Sequence, residues 1–115
     1  HQTPKLLAKY LFSLIDFQDG DSFFEPFRGE GAFYDLMPEP KDWCEIRDGR
    51  DFFNYEGETD HIITNPPYKV NGENVFVKSL EKCLSISNKS VNILINHNMF
   101  LSLTPNRLEK YNSNN

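Results

Sequence analysis

The chain has 115 residues, enough for one domain with a single core and too few to support a second. Hydrophobic residues make up 38% and aromatics 14%, so a core can be built. The formal net charge of -5 excludes the basic stripe that gives non-specific affinity for a phosphate backbone, so strong unaided DNA binding is not expected.

Thr3-Pro4 followed by Leu7, Leu11, Leu14 and Ile15 predicts an amphipathic helix, with Thr3 as N-cap and Pro4 at the first helical position. Asp19-Gly20-Asp21 breaks it, and Ser22 to Pro26 reads as a short buried strand leading into a glycine-rich turn. A helix from Ala32 to Met37 should follow, stopped by Pro38 and Pro40. Asp42 to Ile46 reads as a second strand, and Arg47 to Arg50 as a charged turn around Gly49. Asp60 to Thr64, apolar and β-branched, is a third strand that ends abruptly at Asn65-Pro66-Pro67-Tyr68, whose prolines cannot continue a sheet ladder. Val77, Leu80 and Leu84 mark a helix over about Glu73 to Ile86, and Val91 to Ile95 is a further buried strand. Thr104-Pro105 opens a last helix through Tyr111, before a polar tail. Strands alternating with helices predict an α/β fold with a doubly wound, mostly parallel sheet, whose ligands bind at the carboxyl ends of the strands.

Cys44 and Cys83 fall in a strand and a helix, in no metal-binding spacing, and read as reduced core residues; no metal is expected. No apolar run approaches the roughly twenty residues that span a bilayer, and the start shows no signal-peptide pattern, which predicts a cytoplasmic protein without membrane partners. Asn88-Lys89-Ser90 matches a glycosylation sequon that has no meaning without secretion.

Two turns carry chemistry. In Glu25-Pro26-Phe27-Arg28-Gly29-Glu30-Gly31-Ala32-Phe33, a strand end runs through two glycines that let backbone approach a ligand closely. Glu45, at the end of the next strand, could accept hydrogen bonds from both hydroxyls of a ribose or simply face solvent. In Asn65-Pro66-Pro67-Tyr68, a rigid Pro-Pro turn holds an amide oxygen and a carbonyl oxygen ready to accept two hydrogen bonds from one amino group. Tyr68 adds a face on which a planar base can stack, or else fills the core. Lys69 and Asn71-Gly72 read as a solvated loop or a lip over that site. Asn96, His97 and Asn98 border its far side, where a lone histidine is more often structural.

These residues resemble the adenine-N6 DNA methyltransferases. That family's glycine motif reads Asp/Glu/Ser-Pro-x-x-Gly-x-Gly-x-Phe, and its catalytic motif reads Asn/Asp/Ser-Pro-Pro-Tyr/Phe. The order Thr3-Pro4, glycine loop, Asn65-Pro66-Pro67-Tyr68 is similar to the gamma group, and the resemblance covers nearly the whole chain. It implies a Rossmann-like methyltransferase domain over residues 1–115 with S-adenosylmethionine as cofactor. Thr3, Pro4, Glu25, Pro26, Phe27, Gly29, Gly31 and Phe33 would then line its methionine side, and Glu45 would hold its ribose. Asp51 and Phe52 would flank its adenine, although Asp51 read alone could equally be a cap. The implied mechanism is direct transfer, with Asn65 and the Pro66 carbonyl holding the target N6 amine and Pro67 and Tyr68 completing the motif. The family's sheet carries two further strands and a second base-stacking aromatic that these residues do not supply. The domain is therefore expected to be incomplete on its C-terminal side, without a target-recognition module and with a partner subunit or a second copy as possible company. The same motif occurs in enzymes that methylate a protein glutamine amide or an RNA guanine amine. A cofactor-binding subunit without activity of its own is the non-enzymatic alternative.

Overall fold

In the computed structural model, which describes residues 3–70, 72–95 and 99–105, the chain is an α/β protein. Its elements run α1 (Lys5–Ser13), β1 (Phe23–Glu25), β2 (Lys41–Trp43), β3 (Thr59–Thr64), β4 (Lys69–Val70), β5 (Glu73–Asn74), α2 (Phe76–Ile86), β6 (Ser87–Ile95) and β7 (Met99–Leu103). Three single 3-10 turns at Tyr34–Leu36, Ile46–Asp48 and Phe52–Asn54 lie between them. One five-stranded sheet has the order β2-β1-β3-β6-β7. The first four strands are parallel neighbours, and β7 folds back antiparallel on β6, with Val91 opposite Leu103 and Ile95 opposite Met99.

The period-two alternation of the strands builds two cores. Phe23, Ile63 and Leu94 face one way, against Ala8, Leu11 and Ile15 of the α1 region and Phe33 and Met37 of the first crossover. Phe24, Ile62, Val91 and Ile93 face the other way, against Cys83 and Ile86 of α2 and Phe52 of the second crossover. The two helices thus cover opposite faces, and both cysteines are free and buried. No helix among the described residues is long and apolar enough to cross a membrane.

The differences from the expected elements have local causes. Pro4 is itself the N-cap of α1, in extended geometry (φ -59, ψ 140), and Thr3 makes no capping bond. The expected helix from Ala32 to Met37 shrinks to the single turn Tyr34–Leu36. A positive φ at Gly31 before it and Pro38 after it leave too few residues to repay helix nucleation. The expected start of the second helix at Glu73 moves to Phe76, because Glu73 and Asn74 pair with Val70 and Lys69 as a short hairpin. Strand β7 had no sequence expectation, and the helix expected after Pro105 lies outside the described residues.

Where α1 does not reach, polar groups tie the amino ends of three strands together. His61 on β3 bonds through Nε2 to Asp21 (2.8 Å) and through Nδ1 to Ser90 Oγ on β6 (2.7 Å). Lys89 Nζ donates to the other Asp21 oxygen at 2.6 Å, and these donors hold the Asp21 carboxyl well below the usual carboxylate range. Asn92 extends the chain of bonds, donating to Ser90 Oγ and accepting from Ser102 Oγ of β7. Buried polar atoms must find such partners, so the network fixes the strand register on a face that apolar packing leaves uncovered.

Candidate active site

The carboxyl ends of β1 and β3 and the chain leaving β2 open onto a cleft of about 510 Å³, a volume that suits a ligand of nucleoside size. A smaller recess of about 40 Å³ adjoins it and shares Phe27, Gly29 and Asn65 with it. The glycine turn shapes the boundary between them. Gly29 (φ 56) and Gly31 (φ 90) both adopt left-handed backbone, which brings the Gly29 N–H to Glu45 Oε1 at 2.8 Å. At Gly31 a side chain would also press on the Asp35 carboxylate, since an added Cβ would lie 3.1 Å from Oδ1. Gly31→Ala is therefore expected to cost about 1–2 kcal/mol in chemical denaturation, from left-handed strain plus this contact. A midpoint unchanged from wild type would show that the turn relaxes freely.

Glu45 projects from the end of the second crossover's first residues into the cleft. Burial opposes its ionisation. Donation from the backbone N–H groups of Arg47 and Gly29 and from the Arg47 side chain outweighs that, so the carboxyl stays below its ordinary pKa. Arg47 is the movable partner: its Nε sits 3.2 Å from Glu45 Oε2, yet its side chain is 61% exposed. Asp51 combines the two roles that sequence left open, for it caps the Phe52–Asn54 turn through Oδ1 (to Phe53 N–H, 3.0 Å) and lines the cleft. Phe52 is 2% exposed and packed in the core, yet it lines the cleft, with Phe27 edge-on to it at 5.4 Å. The half-buried Phe53 and the exposed Ile46 also line the cleft. Sequence reading missed both, although each directly follows a singled-out residue at the mouth of a short turn.

The recess is lined by Thr3, Glu25, Phe27, Gly29, Phe33 and Asn65, among others. Glu25, 2% exposed, accepts the Phe27 N–H at 3.0 Å, and burial pushes its carboxyl up to about 8, with the nearby charge of Glu45 acting in the same direction. Pro26 is buried beside it and lines the main cleft, whereas Gly31 shapes the turn without lining either space and Pro4 faces solvent.

Asn65 stands where cleft and recess meet. Its Nδ2 donates to Thr3 Oγ1 at 3.3 Å, a contact across 62 residues that orients the amide with its NH2 toward Thr3 and leaves Oδ1 as the acceptor. The Thr-Pro segment thus reaches the Asn-Pro-Pro-Tyr segment directly. Pro66 is buried, and Pro67 lines the cleft. Tyr68 does not line it; the residue is 44% exposed and its ring stacks on Phe76. The hairpin of β4 and β5 carries Val70 and Glu73 over the cleft, so the stretch after Tyr68 is paired backbone rather than an open loop, with Gly72 in left-handed geometry (φ 81). Asn71, Asn96, His97 and Asn98 lie outside the described residues. The charged groups lining the cleft are three carboxylates (Glu45, Asp51, Glu73) against two cations (Arg47, Lys78), an excess of one negative charge that favours a cationic ligand.

Comparison with models of known protein families finds no match, and comparison with curated protein sequences finds none.

Proposed function

We propose that this chain carries a Rossmann-like methyltransferase site, binding S-adenosylmethionine in the cleft and transferring its methyl group to an exocyclic amine, with N6 of adenine in DNA as the favoured acceptor. The observation behind this reading is the convergence of Glu25, Glu45, Asp51 and Asn65, far apart in sequence, on two adjoining spaces that share Asn65 at the carboxyl ends of parallel strands. The residues fit the cofactor. Glu45 retains lone pairs for ribose hydroxyls once Arg47 swings outward, Asp51 keeps one oxygen free of its cap bond, and the net negative lining suits a ligand with a sulfonium. S-adenosylmethionine would supply the electrophilic methyl. The chain's own contribution is positional: Asn65 Oδ1 and the Pro66 carbonyl accept hydrogen bonds from the amine and stabilise positive charge as it develops on nitrogen.

Calorimetric titration of S-adenosylmethionine tests the first half. Wild type is expected to bind, and Glu45→Ala to lose affinity by about 30-fold or more, since charge-assisted hydrogen bonds contribute about 1.5–3 kcal/mol. A folded wild type that shows no heat of binding would sink the proposal. Transfer of labelled methyl to DNA, to guanine-containing RNA and to a glutamine peptide then separates the acceptor classes.

A further inference from the structure

A separate cavity, of about 450 Å³, opens beside the amino ends of the strands and shares no lining residue with the cleft or the recess. Asp21, His61 and Ser90 all line it. They form one chain of bonds: Asp21 Oδ2 lies 2.8 Å from His61 Nε2, and His61 Nδ1 lies 2.7 Å from Ser90 Oγ. The donors around Asp21 keep its carboxyl ionised, and a carboxylate can only accept, so the Nε2 of a neutral imidazole carries the hydrogen. Nδ1 then keeps its lone pair for the Ser90 hydroxyl, while Asn92 Nδ2 donates to the same Ser90 oxygen at 2.9 Å. The backbone is bent to bring these groups together. From the Thr59–Ser87 pair to the His61–Ser90 pair, β3 advances two residues and β6 three, which is a bulge. Neighbouring strand residues ordinarily point to opposite faces. Here Lys89 and Ser90 both line the cavity and bond to the two ends of the same Asp21–His61 pair.

We infer that Ser90 is the nucleophile of a second active site, an esterase site in which His61 is the general base, Asp21 fixes its tautomer, and small carboxylic esters pack their acyl group against Leu14, Ile15 and Phe17 of the same cavity. It stands apart from the methyltransferase reading and does not depend on it. Ser90 is half-buried at the cavity, whereas His61 is 2% exposed behind it. Either imidazole nitrogen serves as base once the other carries the hydrogen. In the first step Ser90 Oγ attacks the ester carbonyl carbon while its proton passes to His61 Nδ1; an O–C bond forms and the carbonyl π electrons move to oxygen. The Lys89 ammonium, held by Asp21 at 2.6 Å on the cavity wall, supplies positive charge to that oxyanion. Collapse breaks the bond to the alcohol oxygen, which leaves with the proton from Nδ1. Water then attacks the acyl group with Nδ1 again as base, releasing the carboxylic acid and restoring Ser90.

The test is labelling of the full chain with a fluorophosphonate, the modified peptide being identified by mass spectrometry, alongside hydrolysis of p-nitrophenyl acetate. Wild type is expected to take the label on Ser90 and to release p-nitrophenol in a burst as the acyl-enzyme forms. Ser90→Ala should lose both the label and the burst while its urea midpoint shows it folded. Asp21→Asn reads the same site with the nucleophile left in place. The substituted amide gives its oxygen to Lys89 and turns its NH2 to Nε2, which forces the imidazole hydrogen onto Nδ1. Labelling of Ser90 should then slow by about 10³-fold or more, an effect that a merely structural network would not produce. Folded wild type that takes no label on Ser90 would overturn the inference whatever the variants do. Labelling of Ser90 at the wild-type rate in Asp21→Asn would overturn it equally, since the hydroxyl would then react without its base.

Discussion

Asn65→Ala is expected to reduce methyl transfer by about two to three orders of magnitude while S-adenosylmethionine binds within a few-fold of wild type. The size follows from removing one preorganised hydrogen-bond partner of a developing charge, which costs roughly 3–4 kcal/mol of transition-state stabilisation in comparable sites. The selectivity follows from position: Asn65 touches the boundary between recess and cleft, whereas Glu45 and Asp51 line the larger space. Single-turnover transfer of labelled methyl separates chemistry from binding. Asn65→Asp gives a second reading, because a carboxylate still accepts a bond from the amine but can no longer donate to Thr3. It should fall between wild type and the alanine variant. Transfer by Asn65→Ala within tenfold of wild type would show that the amide oxygen is not the acceptor.

The unliganded chain is expected to lose stability as pH rises from about 5 to about 8, and Glu25→Gln to abolish most of that loss. Glu25 is buried, and its pKa is raised from an ordinary 4.5 to about 8. Between those values the unfolded chain has released the proton that the folded chain still holds, so each unit of pH favours unfolding by about 1.4 kcal/mol. Summed over the window, the order of magnitude is 4 kcal/mol. The contribution is complete below the lower pKa, lost as pH climbs to the upper one, and flat beyond. Urea denaturation at pH 5 and pH 8.5 reads it directly: the two proteins should be similar at the acid end, with Glu25→Gln the more stable at the alkaline end. Asp21, whose pKa moves the other way, acts at lower pH and cancels in the comparison. Parallel stability profiles would mean that Glu25 is ionised when folded, with water or a cation in the recess.

How much of this was legible in the residues depended on how local the cause was. The strands around Phe24 and Ile62 and the two turns could be read because β-branched runs, glycines and prolines act on their own backbone, and the parallel sheet followed from alternation. Glu25, Glu45 and Asn65 were singled out at the two turns and the end of the second strand and Asp51 by the family resemblance, and the fold gathers them around the cleft and its adjoining recess. Tertiary causes were not legible. The pairing of β7 depends on β6 being in place to receive it, and the turn at Tyr34–Leu36 is as short as the flanking glycine and proline allow. Phe52, assigned to the ligand by the family resemblance, packs in the core and also lines the cleft, beside Phe53, which had not been singled out. The His61, Asp21 and Lys89 network had no motif to announce it, since its members come from three separate segments and meet only after the sheet has formed. Thr3 was expected to cap α1, but Pro4 takes that place, and the Thr3 side chain bonds to Asn65 beside the recess that it lines.

The contact between Thr3 and Asn65 has a consequence for what the cleft will refuse. Pro66 and Pro67 carry no N–H, and Asn65 Nδ2 donates to Thr3, so the two prolines add no donor to this wall and one amide hydrogen of Asn65 is already taken. A carbonyl or a ring oxygen brought to that wall would meet oxygen with oxygen, desolvated and unbonded, whereas an amine satisfies both at once. Discrimination of this kind, built on an unpaired polar group in the wrong partner, is far steeper than any pocket achieves by shape alone. On the methyltransferase reading proposed above, such a wall would favour an exocyclic amine over a carbonyl before any chemistry begins.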